Sequence, residues 1–225
     1  MSEVRLHVED DPERVVGELL AEAAVKGKTI VVTGGHAVGE AYALAAELAP
    51  DWSRASVWWS DDRCVPPDDE LSNYGLVKRT LLDRLERQPE VHRIRGELPP
   101  EEAADAYDEE LAGVTLDLML LGLGPDGHIA SLFADSPQLD ERERLATSGP
   151  AGMEPYVNRV TLTLPALFSA KEILFLIAGA DKADAVERAF RGPVSEAVPG
   201  SLLRTGEAPI DVYLDAAAAS EALTH

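Results

Sequence analysis

The chain is short of cysteine and of positive charge, and each shortage removes whole classes of function. One cysteine, Cys64, in 225 residues excludes an internal disulfide and offers no pair of thiolates to a metal. It suits a reducing compartment. Twenty Lys and Arg face 41 Asp and Glu, a formal charge of −21. That balance argues against non-specific nucleic-acid binding and against docking on anionic membranes. No apolar run reaches membrane-spanning length. Met1 to Asp10 carries no basic stretch followed by an apolar one, so no secretory signal is expected and the cytoplasm is the expected location. Nucleophile elbow, H-E-x-x-H and P-loop are all missing, as are internal repeats.

What is present reads as ordinary globular material, 45% hydrophobic and 27% charged, with no composition shift that would divide it. One domain over residues 1–225 is expected. Strand and helix signals alternate. Strands are predicted at Val4–Val8, Thr29–Val32, Val57–Trp59, Leu118–Leu121, Arg159–Leu162, Ile173–Ile177 and Ile210–Leu214. Helices are predicted from Pro12 to about Val25, over Gly39–Leu48, from about Ser72 to Leu85, over Glu101–Leu111 and over Lys182–Arg191. Asp10-Asp11-Pro12 supplies a cap and a first-turn proline. Such alternation predicts an α/β fold: a doubly wound, mostly parallel sheet with helices on both faces. Residues 136–158 are polar and weakly patterned, a loop or a small appended subdomain.

The most informative segment is Asp117-Leu-Met-Leu-Leu-Gly-Leu-Gly-Pro-Asp-Gly-His128. An unbroken apolar run reads as a strand buried on both faces. It delivers Asp126 and His128 through Gly122, Gly124 and Gly127 to the carboxyl end of a central strand, where open α/β sheets bind ligands. The three glycines also satisfy G-x-G-x-x-G. A dinucleotide site would not place an anion such as Asp126 where a pyrophosphate needs free N–H groups at a helix start. His128 is the best general-base candidate, because imidazole titrates near neutral pH and Asp126 can orient it.

Two further strand ends should reach the same sheet edge. Gly34-Gly35 precedes a helix and could cradle a phosphate or serve as a plain turn; His36 follows it. Asp61, Asp62 and Arg63 follow Val57–Trp59, and Asn73 stands in Ser72-Asn73-Tyr74-Gly75; a polar loop is the bland alternative. The Arg63 guanidinium suits phosphate or carboxylate. Arg159 and Lys182 lie near a strand start and a helix start, and lysine is disfavoured at a helix N-terminus unless it meets an anion.

Taken in order, Thr33-Gly34-Gly35, Asp61-Asp62-Arg63-Cys64-Val65-Pro66, Ser72-Asn73-Tyr74-Gly75, Gly124-Pro-Asp-Gly-His128-Ile-Ala-Ser-Leu-Phe133, Arg159-Val-Thr-Leu-Thr-Leu-Pro165 and Gly179-Ala-Asp-Lys182 resemble the 6-phosphogluconolactonases of the oxidative pentose phosphate pathway. The resemblance spans nearly the whole chain. It departs at His36-Ala37-Val38, where that family usually carries hydroxyl residues and proline, and at Asp62, where it usually has glutamate. It implies a Rossmann-like fold similar to glucosamine-6-phosphate deaminase. It also implies hydrolysis of 6-phospho-D-glucono-1,5-lactone by a monomer without metal or organic cofactor. His128, Asp126 and Arg63 would be catalytic. Gly34, Gly35, Asp62, Asn73, Gly124, Gly127, Arg159 and Lys182 would bind substrate. Two alternatives stand beside it: a deaminase-type sugar-phosphate enzyme using Asp62 with His128, and a non-enzymatic sugar-phosphate sensor.

Overall fold

Short apolar runs bounded by glycine and proline become strands, and capped alanine-rich runs become helices. In the computed structural model, which describes residues 2–35 and 37–222, the order is β1 (Val4–Val8), α1 (Pro12–Val25), β2 (Thr29–Val32), α2 (Val38–Leu48), β3 (Ser56–Trp59), β4 (Asp61–Arg63), α3 (Asn73–Thr80), β5 (Glu90–His92) and α4 (Pro100–Leu111). It continues with β6 (Leu118–Leu121), β7 (Ala146–Gly149), β8 (Arg159–Leu162), α5 (Leu164–Phe168), β9 (Ile173–Ile177), α6 (Ala183–Phe190), α7 (Pro199–Leu202) and β10 (Ile210–Leu214). The expected cap of α1 forms, the Asp11 carboxylate accepting from Arg14 N at 2.9 Å, and Ser72 Oγ caps α3 by accepting from Gly75 N at 3.0 Å.

Seven strands pair in parallel in the order β1-β10-β9-β6-β2-β3-β5. From β1 through β5 the parallel connections step one way across the sheet, and from β5 through β6, β9 and β10 they step back. Right-handed crossovers therefore put α1, α2 and α3 on one face and α4 to α7 on the other. Contacts agree: α1 packs on α2, α2 on α3, and α6 on α7. The reversal leaves neighbouring β2 and β6 feeding opposite faces, so a crevice opens beyond their carboxyl ends. The four side chains of β6 are all buried, as a strand covered on both faces requires.

Three expectations need correcting. Arg159–Leu162 is a strand but not part of the parallel sheet; it pairs antiparallel with Asp61–Arg63 on one side and Ala146–Gly149 on the other. Asp61–Arg63, read as a possible polar loop, is thus a strand, and part of the weakly patterned 136–158 segment is another. Charged and glycine-containing sequence carries little strand propensity, and here cross-strand pairing overrides it. The helix expected over 72–85 ends at Thr80 and is followed by a 3-10 turn at Leu82–Arg84. No helix follows β6 directly: residues 122–136 are turns and isolated bridges, without the helix N-terminus that a dinucleotide site needs, in agreement with the argument from Asp126.

Leu120 has no exposed surface at the centre of this sheet. Leu120→Ala should cost about 2–5 kcal/mol, read as a fall in the urea midpoint at constant slope; a loss under about 1 kcal/mol would contradict burial on both faces.

Candidate active site

Beyond the ends of β2 and β6 lies a cavity of about 280 Å³. Thr33, Gly34 and Gly35 line it from β2, Asp61, Arg63 and Asn73 from β4 and α3, and Gly122 to Pro125 with His128 from β6. Arg159, Lys182, Met153 and Glu154 complete the wall.

His128 is held in one orientation. Its Nδ1 lies 2.6 Å from Asp126 Oδ1, and its backbone N–H donates to the same oxygen at 3.2 Å. With Nδ1–H donated to the carboxylate, Nε2 keeps its lone pair. The ring lies across Gly124, where a Cβ would come within 2.0 Å of Nδ1 and 2.6 Å of Asp126 Oδ1. Any side chain at 124 would displace the pair, so this glycine is set by close approach. On its other side the ring meets Phe133, centroids 4.4 Å apart. Gly127 adopts φ +91°, closing the turn, and its N–H bonds to Gly124 O at 2.9 Å. Burial pushes the Asp126 carboxyl up, but hydrogen bonds and charge from His128, with backbone N–H groups, more than offset it and bring it down to about 2.

The cations are arranged to receive an anion. Arg63 and Arg159 are direct register partners across β4 and β8, which puts two like charges side by side on one face. Neither makes an ion pair among the described residues. Arg63 Nη1 donates to Leu71 O at 2.5 Å and Arg159 Nη2 to Pro155 O at 3.0 Å. The buried Nε of each has no protein partner. Arg159 is 3% exposed, and burial, then the neighbouring Arg63, lowers its pKa. Lys182 closes a 3-10 turn and caps α6, with a loose 3.8 Å contact to exposed Asp181. Among the described residues the amides of Gly34 and Gly35 are engaged by no other group, and Gly35 takes φ +123° with open space beside it. His36 lies outside the described residues.

A polar frame holds these groups. Asp61 accepts from Ser131 Oγ at 2.7 Å, from Ser60 Oγ at 3.0 Å and from Asn73 Nδ2 at 3.3 Å. Asn73 lies against Gly34, where a Cβ would fall 2.0 Å from its Oδ1. Two buried tyrosines brace the strand ends. Tyr42 OH bonds both N–H and C=O of Thr33 at 2.9 and 2.8 Å, and Tyr107 OH does the same for Trp59 at 2.8 and 2.9 Å. Their spacing from the strands they brace carries no sequence signal, so the expected set misses them, along with Ser131.

Of the expected residues, the fold gathers His128, Arg63, Gly34, Gly35, Asn73, Gly124, Arg159 and Lys182 on one cavity. Asp126 acts on it through His128. Gly127 shapes the turn without lining the wall. Asp62 points elsewhere: its carboxylate accepts from Arg63 N (2.7 Å), Asn73 N (2.6 Å), Tyr74 N (2.9 Å) and Ser72 Oγ (3.2 Å), capping α3. Burial nonetheless pushes it up to about 6. Burial and then Asp62 push the Cys64 thiol up to about 11, which disfavours its thiolate near neutral pH.

The two aspartates make a paired prediction. In a carboxyl-carbon NMR titration Asp62 should show its midpoint near 6 and Asp126 near 2. Against an ordinary value of 3.8, Asp62 contributes stability that is present below 3.8 and lost as pH rises through about 6. Asp126 contributes stability present above 3.8 and lost as pH falls through about 2. Two midpoints between 3.5 and 4.5 would contradict both environments (roughly the unperturbed range).

Comparison with known proteins agrees with this architecture. A family described as glucosamine-6-phosphate isomerases/6-phosphogluconolactonase matches residues 10–211. A 6-phosphogluconolactonase of Streptomyces coelicolor is 37% identical over 229 residues, covering 92% of this chain and 87% of that protein. The crystal structure of 6-phosphogluconolactonase from Thermotoga maritima superposes with a TM-score of 0.82 at 29% identity, over 96% of this chain and 100% of that one. A monomeric glucosamine-6-phosphate deaminase superposes with a TM-score of 0.83 at 18% identity, over 97% and 99% of the two chains, a likeness of fold alone. The chain belongs to the glucosamine-6-phosphate isomerase and 6-phosphogluconolactonase family.

Proposed function

We infer that the protein hydrolyses 6-phospho-D-glucono-1,5-lactone to 6-phosphogluconate. One observation carries the reading: an imidazole oriented by a carboxylate shares a cavity with two arginines that have no ionic partner. Its relatives named as 6-phosphogluconolactonases support the same substrate.

A lactone is an activated ester, so water activated by a base suffices and no covalent nucleophile is needed. His128 Nε2 takes a proton from water as the oxygen attacks the lactone carbonyl, a step worth on the order of 10²–10⁴-fold. Asp126 holds the ring in the tautomer that leaves Nε2 free and stabilises the imidazolium. Arg63 faces the oxyanion of the tetrahedral intermediate. The amides of Gly124 and Gly127 are occupied within the turn, by His128 O and Gly124 O, so a cation suits this role better than they do. When the intermediate collapses, the ring C–O bond breaks and the imidazolium returns its proton to the leaving oxygen. Arg159, Lys182 and the free amides of Gly34 and Gly35 hold the phosphate, and Asn73 the sugar. The lone Cys64 supports a cytoplasmic setting. Because Asp62 caps α3 rather than lining the cavity, it is not placed to pair with His128 for deaminase-type ring opening.

His128→Asn should lower kcat for lactone opening by about 10²–10⁴-fold with KM little changed, after spontaneous hydrolysis is subtracted. Arg159→Ala should instead raise KM about tenfold or more, and Arg63→Ala should act mainly on kcat. Full activity in His128→Asn would remove His128 as the base, and ammonia release from glucosamine 6-phosphate would favour deaminase chemistry.

A further inference from the structure

Arg188, on α6, reaches the turn that carries Asp126 and His128 without lining the cavity. Its Nη2 donates to Pro125 O at 3.1 Å and its Nη1 to Asp126 O at 3.4 Å, while its Nε is fixed on Asp184 Oδ2, one helical turn back, at 2.7 Å. The guanidinium is thus tethered at one end and grips two successive peptide carbonyls at the other. In a trans peptide the C=O and N–H point opposite ways. Drawing both carbonyls toward α6 therefore aims the N–H groups of Asp126 and Gly127 to the other side of the turn. The Gly127 N–H is spent on Gly124 O, and the Gly124 N–H donates to His128 O at 2.9 Å.

A second clamp works from α7: Gly200 N donates to Gly127 O at 2.8 Å. Three carbonyls in a row are then held, two of them by one cation. A surface arginine on a helix needs no such partners, since Asp184 alone would satisfy it as an i,i+4 pair.

We propose that Arg188 is a positioning residue for the Asp126–His128 pair, fixing through the Pro125-Asp126-Gly127 peptides the geometry in which Asp126 meets Nδ1. Its kinetic consequence rests on the lactonase reading above. Arg188 touches no reacting atom, so its loss acts on turnover and not on substrate affinity.

The test combines kinetics with a readout of the hydrogen bond itself. In Arg188→Ala, kcat for lactone opening should fall about tenfold with KM within about twofold, the pattern of lost positioning. Arg188→Lys should recover part of the loss, because an ammonium can still reach one carbonyl, and Asp184→Asn, which frees the guanidinium, should fall less than Arg188→Ala. The proton on His128 Nδ1, followed by NMR in wild type at low temperature, should broaden or exchange faster in Arg188→Ala while the thermal midpoint stays within a few degrees. Wild-type kcat and an unchanged Nδ1 proton in Arg188→Ala would overturn the proposal, as would a loss carried by KM that lysine fails to restore. Should Arg188→Ala not fold, Arg188→Lys and Asp184→Asn decide by the same criteria. If the wild-type protein itself fails to open the lactone, the lactonase reading falls, and the Nδ1 signal still tests Arg188 alone.

Discussion

The contact between Asp126 Oδ1 and His128 Nδ1 sets demands on everything around it. At 2.6 Å it fixes which nitrogen carries the proton and which way the ring faces. That geometry exists only if nothing projects from residue 124, because the ring occupies the space a Cβ would take. The turn in its turn must start from a rigid base. β6 provides one, buried on both faces and paired on both sides, with β9 and β2. A strand at the sheet edge would fray, and a one-residue slip would move the dyad to the other side of the turn. Placing the strand beside the reversal of winding gives the dyad a crevice to face. Core packing and site geometry are here a single constraint.

An acidic chain that must hold an anion faces a second constraint. At −21 the mean field repels a phosphate ester, and in water that field is screened within about 8–10 Å at moderate salt. Local arrangement must dominate. Several cations elsewhere are paired with acids: Arg14 with Glu18, Lys26 with Glu22, Lys171 with Asp117. Arg63 and Arg159 are instead set against each other across an antiparallel pair and left without carboxylate partners. Two adjacent guanidinium groups, one nearly sealed from solvent, destabilise the empty protein and favour any ligand that brings negative charge between them. On the proposed reading that ligand is the substrate phosphate together with the developing oxyanion.

Much of this was legible from residues alone, and the failures have a common cause. β6 and β9 fall on apolar runs, and α1 begins at its Asp10-Asp11-Pro12 signal, since burial and capping are local properties written in local sequence. The second sheet was not legible. Asp-Asp-Arg and Ala-Thr-Ser-Gly hold no strand signal, and they become strands because Arg159–Leu162 lies between them. The antiparallel pairing of that middle strand is illegible for the same reason, since its partners lie far away in the chain. At the site, glycine and histidine announced themselves by type and spacing. Asp62 misled, because three consecutive charges at a strand end look equivalent until the backbone twist assigns Asp61 to the cavity and Asp62 to the start of α3. Tyr42, Tyr107 and Arg188 act through main-chain groups, which carry no residue identity to read.

The assignment of those neighbouring acids also bears on how one fold serves different chemistries. A deaminase with the same fold exists at a TM-score of 0.83, so the scaffold does not select the reaction; the protonation machinery does. Moving protons between carbons of a sugar requires a base near the chain of the substrate and an acid near its ring oxygen. In this chain Asp61 accepts from Ser60, Asn73 and Ser131, and Asp62 from the start of α3. Both serve to hold the frame, and Asp126 is engaged with Nδ1. The nitrogen left with a free lone pair is Nε2 of His128, and one site that accepts a proton and then returns it is what ester opening by water needs. Such an arrangement suits lactone hydrolysis, in which His128 alone both accepts the proton of water and returns it to the leaving oxygen.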